Sequence, residues 1–518
     1  MRGVGTEIAS WNDGFRAYMH PKAIAMLFLG LSAGIPILLI FSTLSVWLRE
    51  AGVERSAVTF FSWAALGYSF KFLWAPIIDM LPLPFLTRFF GRRRAWLLVT
   101  QCCIIVAIVW MAYIDPAQNT NNLTLMALAA VLLGFSSASQ DVVIDAYRIE
   151  SAEESLQALL SSMYIAGYRV GMLVAGAGSL FLADFIGGSH VYSYYSWQWT
   201  YLAMAAMMLL GVVTTLCIAE PEVSIISENS TYSPVDYLRF LVVFVSVMLI
   251  FAVTFFKTGA WLHYLSNFFP FFFTEEGKIS TFLVEGVRFS LSGFAGILVA
   301  WCIVATGFLN KRMARQAYYA PIRDFFVRYN GKTACLILLL IGLYRLSDIV
   351  LGVVSNVFYL DMGYSKTVIA GITKSFGLGM TLAGGFLGGV LTVRFGIQRI
   401  LFLGAFLSAA TNLLFMLLSS AGNNLTLLTV VIGADNLSAG IATTAFVAFL
   451  SSLTNVSFTA VQYAIFSSMM TLLPKLVGGY SGTMVSAFGY EKFFMLTAVM
   501  GIPVLFLIIM QQRIKDQK

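Results

Sequence analysis

The sequence predicts an all-α protein that crosses a membrane many times, with twelve core helices in two related halves of six and two helices inserted between the halves. Three observations predict this fold class. Charged residues make up only 11% of the chain, whereas soluble domains carry about 25%. Apolar runs long enough to cross a bilayer follow one another along the sequence. A repeat with a constant shift relates the first half of the chain to the second.

The apolar runs define the predicted organisation. A helix needs about 20 predominantly apolar residues to cross the hydrocarbon core. Fourteen runs meet that length, at roughly 23–48, 57–79, 95–114, 123–148, 157–186, 197–219, 237–256, 288–309, 333–360, 366–392, 399–419, 425–451, 459–488 and 492–512. The predicted segments are an N-terminal segment (1–22), a first half (23–220), an inserted helix pair with a basic linker (221–332), a second half (333–512) and a tail (513–518).

The loops on alternate sides of the predicted spans differ in charge. Four arginines and no acid follow the second span, and six basic residues stand against Asp324 in the segment near 310–332. The opposite loops, such as 115–122 and 187–196, are neutral or weakly acidic. Basic loops remain in the cytoplasm, so we expect both termini to be cytoplasmic. These loops account for the net charge of +7, and we expect no nucleic-acid partner.

The internal repeat predicts how the spans are arranged. Ser161-Ser162-Met163 recurs as Ser467-Ser468-Met469 after 306 positions, and the same shift places Arg169 on Lys475. Parallel repeats related by an axis along the membrane normal are typical of the major facilitator architecture. We therefore expect the major facilitator fold, in which the first, fourth, seventh and tenth core helices surround a central cavity.

A loop pattern of that architecture predicts a gate between the halves. The pattern, roughly G-x-L-x-D-R-x-G-R-R, follows the second helix of each half and is degenerate here, because Val393 replaces the acid in the second half. An aspartate at this position can cap the N-terminus of a neighbouring helix and latch the halves. The alternative is that the arginines only anchor cytoplasmic loops. The predicted gating residues are Asp79, Arg92, Arg394 and Lys475.

Ionisable residues inside the predicted spans are the candidates for the transport site. Each costs about 2.5–3.5 kcal/mol at the centre of a spanning helix, and such residues mark functional sites. Proton coupling requires a carboxylate whose pKa responds to burial and to a nearby cation. Asp145 with Arg148, and Arg345 with Asp348, lie one helical turn apart, so structural ion pairs are the alternative for these residues. The predicted proton-coupling carboxylates are Asp141, Asp145, Asp348 and Asp435.

No signature of ATP hydrolysis or of a zinc hydrolase occurs in the sequence, since both the G-x-x-x-x-G-K-[ST] and H-E-x-x-H patterns are missing. We therefore expect a transporter rather than an enzyme, without a metal or another cofactor and with no catalytic residues. Two other classes remain open: a membrane-embedded flippase or transferase that acts on lipid-linked wall precursors, and a sensor or scaffold that transports nothing.

Several segments resemble the AmpG muropeptide permease family of the major facilitators. They are Lys71–Pro76 with Gly91–Arg94, Ser137–Asp141, Gly167–Met172, Pro321–Phe326 and Asp435–Leu437. The likeness covers roughly 22–220 and 320–512 and is strongest between 60 and 180. The chain departs from the family in one respect, because its extra hydrophobic pair lies between the halves rather than after the twelfth helix.

The resemblance implies a monomeric importer in the bacterial inner membrane. It implies that N-acetylglucosaminyl-anhydromuramyl peptides enter the cytoplasm from the periplasm by proton symport, for cell-wall recycling and, in some species, β-lactamase induction. Another anionic solute, such as acetyl-CoA, is the alternative. The carboxylates of a muropeptide suit cations, and its sugar hydroxyls suit amides and phenols. The predicted substrate-binding residues are Lys71, Gln140, Tyr168, Arg169, Tyr344, Arg345, Lys374 and Asn436.

Overall fold

The computed structural model describes residues 18–54, 67–153, 156–187, 192–222, 232–266, 278–365 and 368–516. Within these ranges the chain forms helices and contains no strand. Thirteen helical segments of the described chain are long and apolar enough to cross a membrane. Each of these segments overlaps one of the predicted spans. The remaining predicted span, the second at 57–79, lies partly outside the described residues. The predicted all-α polytopic fold is confirmed.

Several spans of the first half are built from more than one helical piece. A 3-10 turn at Lys71–Leu73 and a π-helical turn at Val174–Gly178 join neighbouring pieces. The helices are α1 (Pro21–Ile40), α2 (Ser42–Glu50), α3 (Gly67–Phe70), α4 (Ala75–Met80), α5 (Leu86–Phe90), α6 (Arg92–Ala112), α7 (Thr120–Ser151), α8 (Gln157–Leu173), α9 (Ser179–Gly187) and α10 (Tyr194–Cys217). The fourth and fifth core spans are therefore α7 and α8 with α9.

Residues 224–324 form a compact unit separate from the one built by the remaining residues. Two long helices, α11 (Pro234–Ser266) and α12 (Lys278–Ala305), pack on each other there. Arg288 joins them, since its Nη2 atom donates a hydrogen bond to the Phe255 carbonyl at 2.8 Å and its guanidinium lies 4.3 Å from the centre of the Phe255 ring. Two shorter helices, α13 (Lys311–Ala314) and α14 (Ala320–Tyr329), lead towards the second half.

The second half is broken at two glycines near its end. Its helices are α15 (Gly331–Leu343), α16 (Leu346–Asp361), α17 (Gly377–Phe395), α18 (Ile397–Ala421), α19 (Leu425–Leu453), α20 (Thr459–Gly478), α21 (Ser481–Met500) and α22 (Ile502–Asp516). The predicted boundary between the last two spans, at 488–492, coincides with a kink inside α21, where Gly489 has the non-helical backbone angles φ 76° and ψ 168°. A further break, which was not predicted, separates α20 from α21 at Gly479, where adjacent glycines favour a helix end.

Each half packs mainly around its own aromatic core. In the first half, the Trp47 and Trp197 rings stack with their centres 5.7 Å apart, inside a cluster of first-half residues only. In the second half, Phe358 packs edge-on against Phe494 at 4.9 Å in a cluster of second-half residues. Separate cores allow two halves to move as bodies.

Glycines bring α1 and α8 into backbone contact. A Cβ atom on Gly30 would lie 2.2 Å from the Tyr164 carbonyl oxygen, and a Cβ on Gly167 would lie 1.9 Å from the Leu27 carbonyl oxygen. Small residues four apart permit such close approach of membrane helices. The contact holds α8 firmly within the first half and so fixes the position of Arg169, two residues after Gly167.

Candidate functional site

A buried ion-pair chain lies inside the first half. Lys71, in the 3-10 turn before α4, places its Nζ atom 3.4 Å from Asp145 Oδ2. Arg148 Nη2 lies 3.3 Å from the other Asp145 oxygen. All three side chains are buried. Asp145 therefore neutralises two cations, one from each of two neighbouring spans.

Arg148 also connects this chain to the second half. Its Nη1 atom donates hydrogen bonds to Ser161 Oγ and to Ser451 Oγ, each at 2.8 Å. Its guanidinium lies 5.2 Å from the centre of the Tyr463 ring. The Asp145–Arg148 pair, for which the sequence left a local structural role open, therefore also forms part of the interface between the halves.

Replacing Asp145 with asparagine is expected to lower the stability of the folded protein. Lys71 and Arg148 would lose their carboxylate while remaining buried, and breaking a buried pair in this way costs about 3–5 kcal/mol. Thermal unfolding of the purified protein in detergent measures the effect. Asp236→Asn is the control, because Asp236 lies near the surface in the first turn of α11, where its carboxylate accepts a hydrogen bond from the Ser233 N–H, and an asparagine side-chain oxygen can accept the same bond. Equal melting temperatures for Asp145→Asn and the wild type would contradict the assigned ion pairs.

The four predicted proton-coupling carboxylates are of two kinds. Asp145 is ion-paired, and so is Asp348, whose Oδ2 atom lies 3.6 Å from Arg345 Nε. Asp141 and Asp435 accept hydrogen bonds from hydroxyl groups instead, from Tyr164 at 3.3 Å and from Thr411 at 3.2 Å. Neither of these two forms an ion pair in the described part of the chain. A carboxylate with neutral partners can exchange a proton, whereas an ion-paired one stays ionised.

The predicted binding cations Arg169 and Arg345 lie one in each half, on α8 and at the start of α16. Arg169, on α8, is half-buried and forms no hydrogen bond or ion pair with any described residue. Its charge interacts with that of Arg345, which lies at the break between α15 and α16 and donates a hydrogen bond to Thr443 Oγ1 at 2.9 Å. The side chain of Lys374 lies outside the described residues.

The polar residues predicted for substrate binding have other partners in the structure. Gln140 Nε2 donates to Ser32 Oγ at 2.9 Å, and Asn436 accepts a hydrogen bond from Thr381 at 2.9 Å. Tyr344 donates to the Leu401 carbonyl at 3.0 Å and stacks on Phe446. Tyr168 is half-buried beside Tyr164, with ring centres 6.0 Å apart. These contacts support packing roles for Gln140, Asn436 and Tyr344, and their substrate contacts stay predictions.

Asp79 joins the two halves at the end of α4. Its carboxylate accepts hydrogen bonds from the backbone N–H groups of Ala460 at 3.3 Å and Val461 at 3.0 Å, at the N-terminus of α20. It also accepts from Arg93 Nη2 at 2.7 Å, and the same nitrogen lies 2.5 Å from Glu150 Oε1. The Asp79 carboxylate thus caps a helix of the opposite half, in the geometry that the loop pattern predicted.

Of the three arginines that follow Gly91, the structure places Arg93 between the acids of this contact, whereas the sequence singled out Arg92. Arg93 is buried between the two acids, whereas Arg92 is partly exposed, donates to the Asp79 carbonyl at 2.9 Å and lies 3.8 Å from Glu150. Three consecutive helical residues point in different directions, so only the packing selects among them. Glu150 was also missed, although its position at the end of the fourth span was a usable signal.

Two further predicted gating residues lie away from this contact. Arg394 is exposed and its guanidinium lies 5.6 Å from the centre of the Phe395 ring. Lys475 is exposed, immediately after the buried Pro474. The repeat shift paired Lys475 with Arg169 as two buried cations, and this is wrong for Lys475, because a shift along the chain does not determine which way a helix faces.

A third contact between the halves involves Tyr18, just before α1. Its hydroxyl donates to the Phe386 carbonyl at 2.7 Å and accepts from Ser162 Oγ at 3.0 Å. Burial raises the pKa of Tyr18 to about 12, so the hydroxyl remains a donor at physiological pH. A Cβ atom on Gly389 would lie 2.2 Å from the Tyr18 hydroxyl oxygen, which explains why glycine suits that position.

The described hydrogen bonds between the halves are gathered at one end of the helices. They lie before α1, at the end of α4, at the end of α7 and at the start of α20. This is the end that carries the arginine-rich loop between α4 and α6. We call this set the inter-half gate, defined by Tyr18, Asp79, Arg93, Arg148 and Glu150.

One string has the spacing of a serine hydrolase nucleophile, Gly30-Leu31-Ser32-Ala33-Gly34. That nucleophile stands on a tight turn between a strand and a helix, whereas Ser32 lies within α1, donates to the Leu29 carbonyl and accepts from Gln140. The string therefore belongs to the α1–α8 packing. The described residues also contain no group of three histidine, cysteine or acidic side chains that could hold a metal ion.

The protein has two groups of spans, a gate at one end and charged residues buried between the spans. These features are typical of secondary transporters built from two helical halves. Residues 23–360 match the Major Facilitator Superfamily. The anhydromuropeptide permease of Escherichia coli K12 is 30% identical over 495 residues, which cover 95% of this chain and 80% of that protein. The chain belongs to the major facilitator superfamily and, within it, to the AmpG family of anhydromuropeptide permeases.

Other comparisons agree on family and fold. The AmpG 4 transporter of Rickettsia felis is 28% identical over 487 residues, which cover 94% of this chain and 95% of that protein. The proton:xylose symporter XylE superposes with a TM-score of 0.58 at 13% identity, with 95% of both chains covered. The fucose:proton symporter FucP of E. coli superposes with a TM-score of 0.59 at 11% identity, covering 96% of this chain and 99% of that one. These two symporters share the fold with this chain.

Proposed function

We propose that this protein imports anhydromuropeptides from the periplasm to the cytoplasm across a bacterial inner membrane, driven by proton symport. The observation that carries the proposal is the relationship to the E. coli anhydromuropeptide permease over 95% of the chain. Intramembrane cations such as Lys71, Arg169 and Arg345 support an anionic ligand, since charge-assisted hydrogen bonds to carboxylates are strong.

The orientation follows from the basic loops. The inter-half gate lies at the end with the arginine-rich loop, and such loops remain cytoplasmic. With both termini on that side, the cytoplasmic end of the transporter is closed and the ligand enters from the periplasm. Alternating access then requires the gate to open while the halves close at the outer end.

Proton coupling belongs, in this proposal, to Asp141 and Asp435. Asp141 is buried and Asp435 is half-buried, each with a hydroxyl partner and one in each half, so each can be neutral without leaving a cation unpaired. Protonation from the periplasm removes the cost of a buried charge while the halves move. Asp145 and Asp348 are ion-paired and hold their cations in place. The cycle needs one monomer, no cofactor and no chemical step on the ligand.

Uptake into right-side-out membrane vesicles tests the proposal. With labelled N-acetylglucosaminyl-anhydromuramyl tripeptide, we expect accumulation that requires the chain and is abolished by a protonophore. Asp435→Asn is expected to abolish accumulation and to retain exchange of labelled for unlabelled ligand, since exchange needs no net proton movement. Accumulation that persists with the protonophore would rule out symport. Uptake of acetyl-CoA without uptake of the muropeptide would show that the substrate is another anionic solute. Movement of a lipid-linked precursor alone would show that the protein is a flippase.

A further inference from the structure

The cations near the middle of the membrane differ in how closely acids pair with them. Lys71 and Arg148 share Asp145, with Asp141 close by on the same helix. Arg169 and Arg345, by contrast, have only Asp348 between them as an acid partner within the described residues. Asp435 lies near Asp348 but bonds to Thr411, and it is the carboxylate that the proposed function makes protonatable. When Asp435 is protonated, two cations with one carboxylate in a low-dielectric interior leave a net positive charge that an anion would stabilise.

Arg345 has capacity left for such an anion. Its Nε atom is buried without a hydrogen bond, because Asp348 lies 3.6 Å away, beyond hydrogen-bond distance. The other oxygen of Asp348 accepts from the Ser408 hydroxyl. The Arg345 side chain is 20% exposed, so it is reachable. Arg169 uses none of its donors on described residues.

Both arginines lie at the same depth. Arg169 lies about 18 Å along the helix from Gln157, and Arg345 lies about 21 Å from Gly331, at 1.5 Å per residue. The fifth and seventh core spans begin on the same side of the membrane, and the bilayer core is about 30 Å thick. Both arginines therefore lie near the midplane, each in a different half.

We infer that Arg169 and Arg345 together bind one carboxylate of the transported ligand, and that this shared carboxylate draws the two halves together during transport. This inference rests on the proposed function. The empty site opposes closure, because two like charges approach as the halves close. A bound carboxylate replaces that repulsion with charge-assisted hydrogen bonds to both halves. Closure is then favoured by the ligand's higher affinity for the closed state.

The packing around the two arginines suits this role. Arg169 stands between Gly167 and Gly171, whose backbone contacts with α1 fix it to the first half. Arg345 stands at the break between α15 and α16, where a small rotation of one helical piece moves its side chain. One cation is therefore rigid and the other adjustable, as an anion clamp between two moving bodies requires.

Ligand binding to the purified full chain tests the inference. The probes are N-acetylglucosaminyl-anhydromuramyl tripeptide and the same compound with its peptide carboxylates amidated. The wild type is expected to prefer the free acid by about 10- to 100-fold, the range for a charge-assisted bond. Arg169→Gln and Arg345→Gln are each expected to remove most of that preference. Arg239→Gln, at an exposed arginine in the separate unit, is expected to retain it.

The ratio of the two affinities is measured on folded protein, so a low yield of a variant does not affect it. If Arg345→Gln folds poorly because Asp348 is left unpaired, the double variant Arg345→Gln, Asp348→Asn replaces it. A preference that survives in both arginine variants overturns the inference. Wild type that binds both compounds equally also overturns it but leaves the proposed function standing. Wild type that binds neither compound overturns both.

Closure is tested by the distance between spin labels at Ala51 and Ser365, near the outer ends of the first and seventh core spans. The free acid is expected to shorten this distance in the wild type, and the amidated compound at saturation is not. In Arg169→Gln, neither compound is expected to shorten it. Shortening by both compounds in the wild type would show that closure does not depend on the carboxylate and would overturn this part of the inference.

Discussion

Replacing Gly167 with alanine is expected to prevent the transporter from folding. The added Cβ atom would lie 1.9 Å from the Leu27 carbonyl oxygen and 2.8 Å from the Leu27 carbonyl carbon. Both are backbone atoms of α1, so α1 and α8 would have to separate rather than adjust a side chain. Separation would also disturb the contacts at Gly30, Gly34 and Gly171. We expect destabilisation of at least about 3 kcal/mol, visible as loss of the monodisperse peak in size-exclusion chromatography.

Gly352→Ala is the matched control, because it makes the same change inside the spanning helix α16, where no atom lies within 4 Å of the added Cβ. Alanine favours the helix over glycine by about 1 kcal/mol, so this variant is expected to fold as well as the wild type or better. Normal yield and melting temperature for Gly167→Ala would show that α1 and α8 do not pack at backbone contact.

Replacing Asp79 with alanine is expected to open the inter-half gate and reduce ligand uptake at least 10-fold. The carboxylate is lost from the N-terminus of α20, where it caps the N–H groups of Ala460 and Val461. Arg93 also loses one of its two acids while it remains buried. Removing a charged hydrogen-bond partner from buried groups costs about 1–3 kcal/mol, enough to change the populations of the open and closed states by 10-fold.

Thiol labelling checks this opening directly. A cysteine at Ser451, at the end of α19 beside Arg148, is expected to react faster with a maleimide in Asp79→Ala than with Asp79 intact. Asp361→Ala is the control, since Asp361 also stands at a helix end with a hydrogen-bond partner, Tyr490, but within one half. Unchanged labelling in Asp79→Ala, or equal acceleration by Asp361→Ala, would remove Asp79 from the gate.

The contrast between Asp79 and Arg93 shows how far a site can be predicted from sequence. Asp79 could be predicted because the loop pattern places an acid at this position, and an acid can cap the N-terminus of a helix. Arg93 could not be separated from its two neighbours, since all three arginines satisfy the pattern equally. The gating role predicted for Lys475 rested on the neighbouring Pro474 and Gly478-Gly479 together with the repeat, and neither describes the environment of the side chain.

The four intramembrane aspartates show the same division. The sequence predicted that they lie inside spans and that each carries a free-energy cost in lipid. It did not predict which of them are ion-paired. Lys71 and Asp145 are separated by 74 positions along the chain, so no local spacing predicts that they meet. Once paired, Asp145 becomes a counter-ion, whereas Asp141, one turn away, remains available for a proton.

The sequence by itself determined the all-α membrane fold and almost every span, because bilayer thickness dictates the length of an apolar helix and the scarcity of charge excludes a water-covered surface. Motifs in the sequence also indicated the AmpG permease family. Only the tertiary structure decided which charges are paired and where the halves meet, since pairing depends on the rotation of each helix and on residues as far apart as Arg148 and Ser451, 303 positions. The pairing leaves Arg169 and Arg345 with one ion-paired carboxylate, Asp348, between them among the described residues.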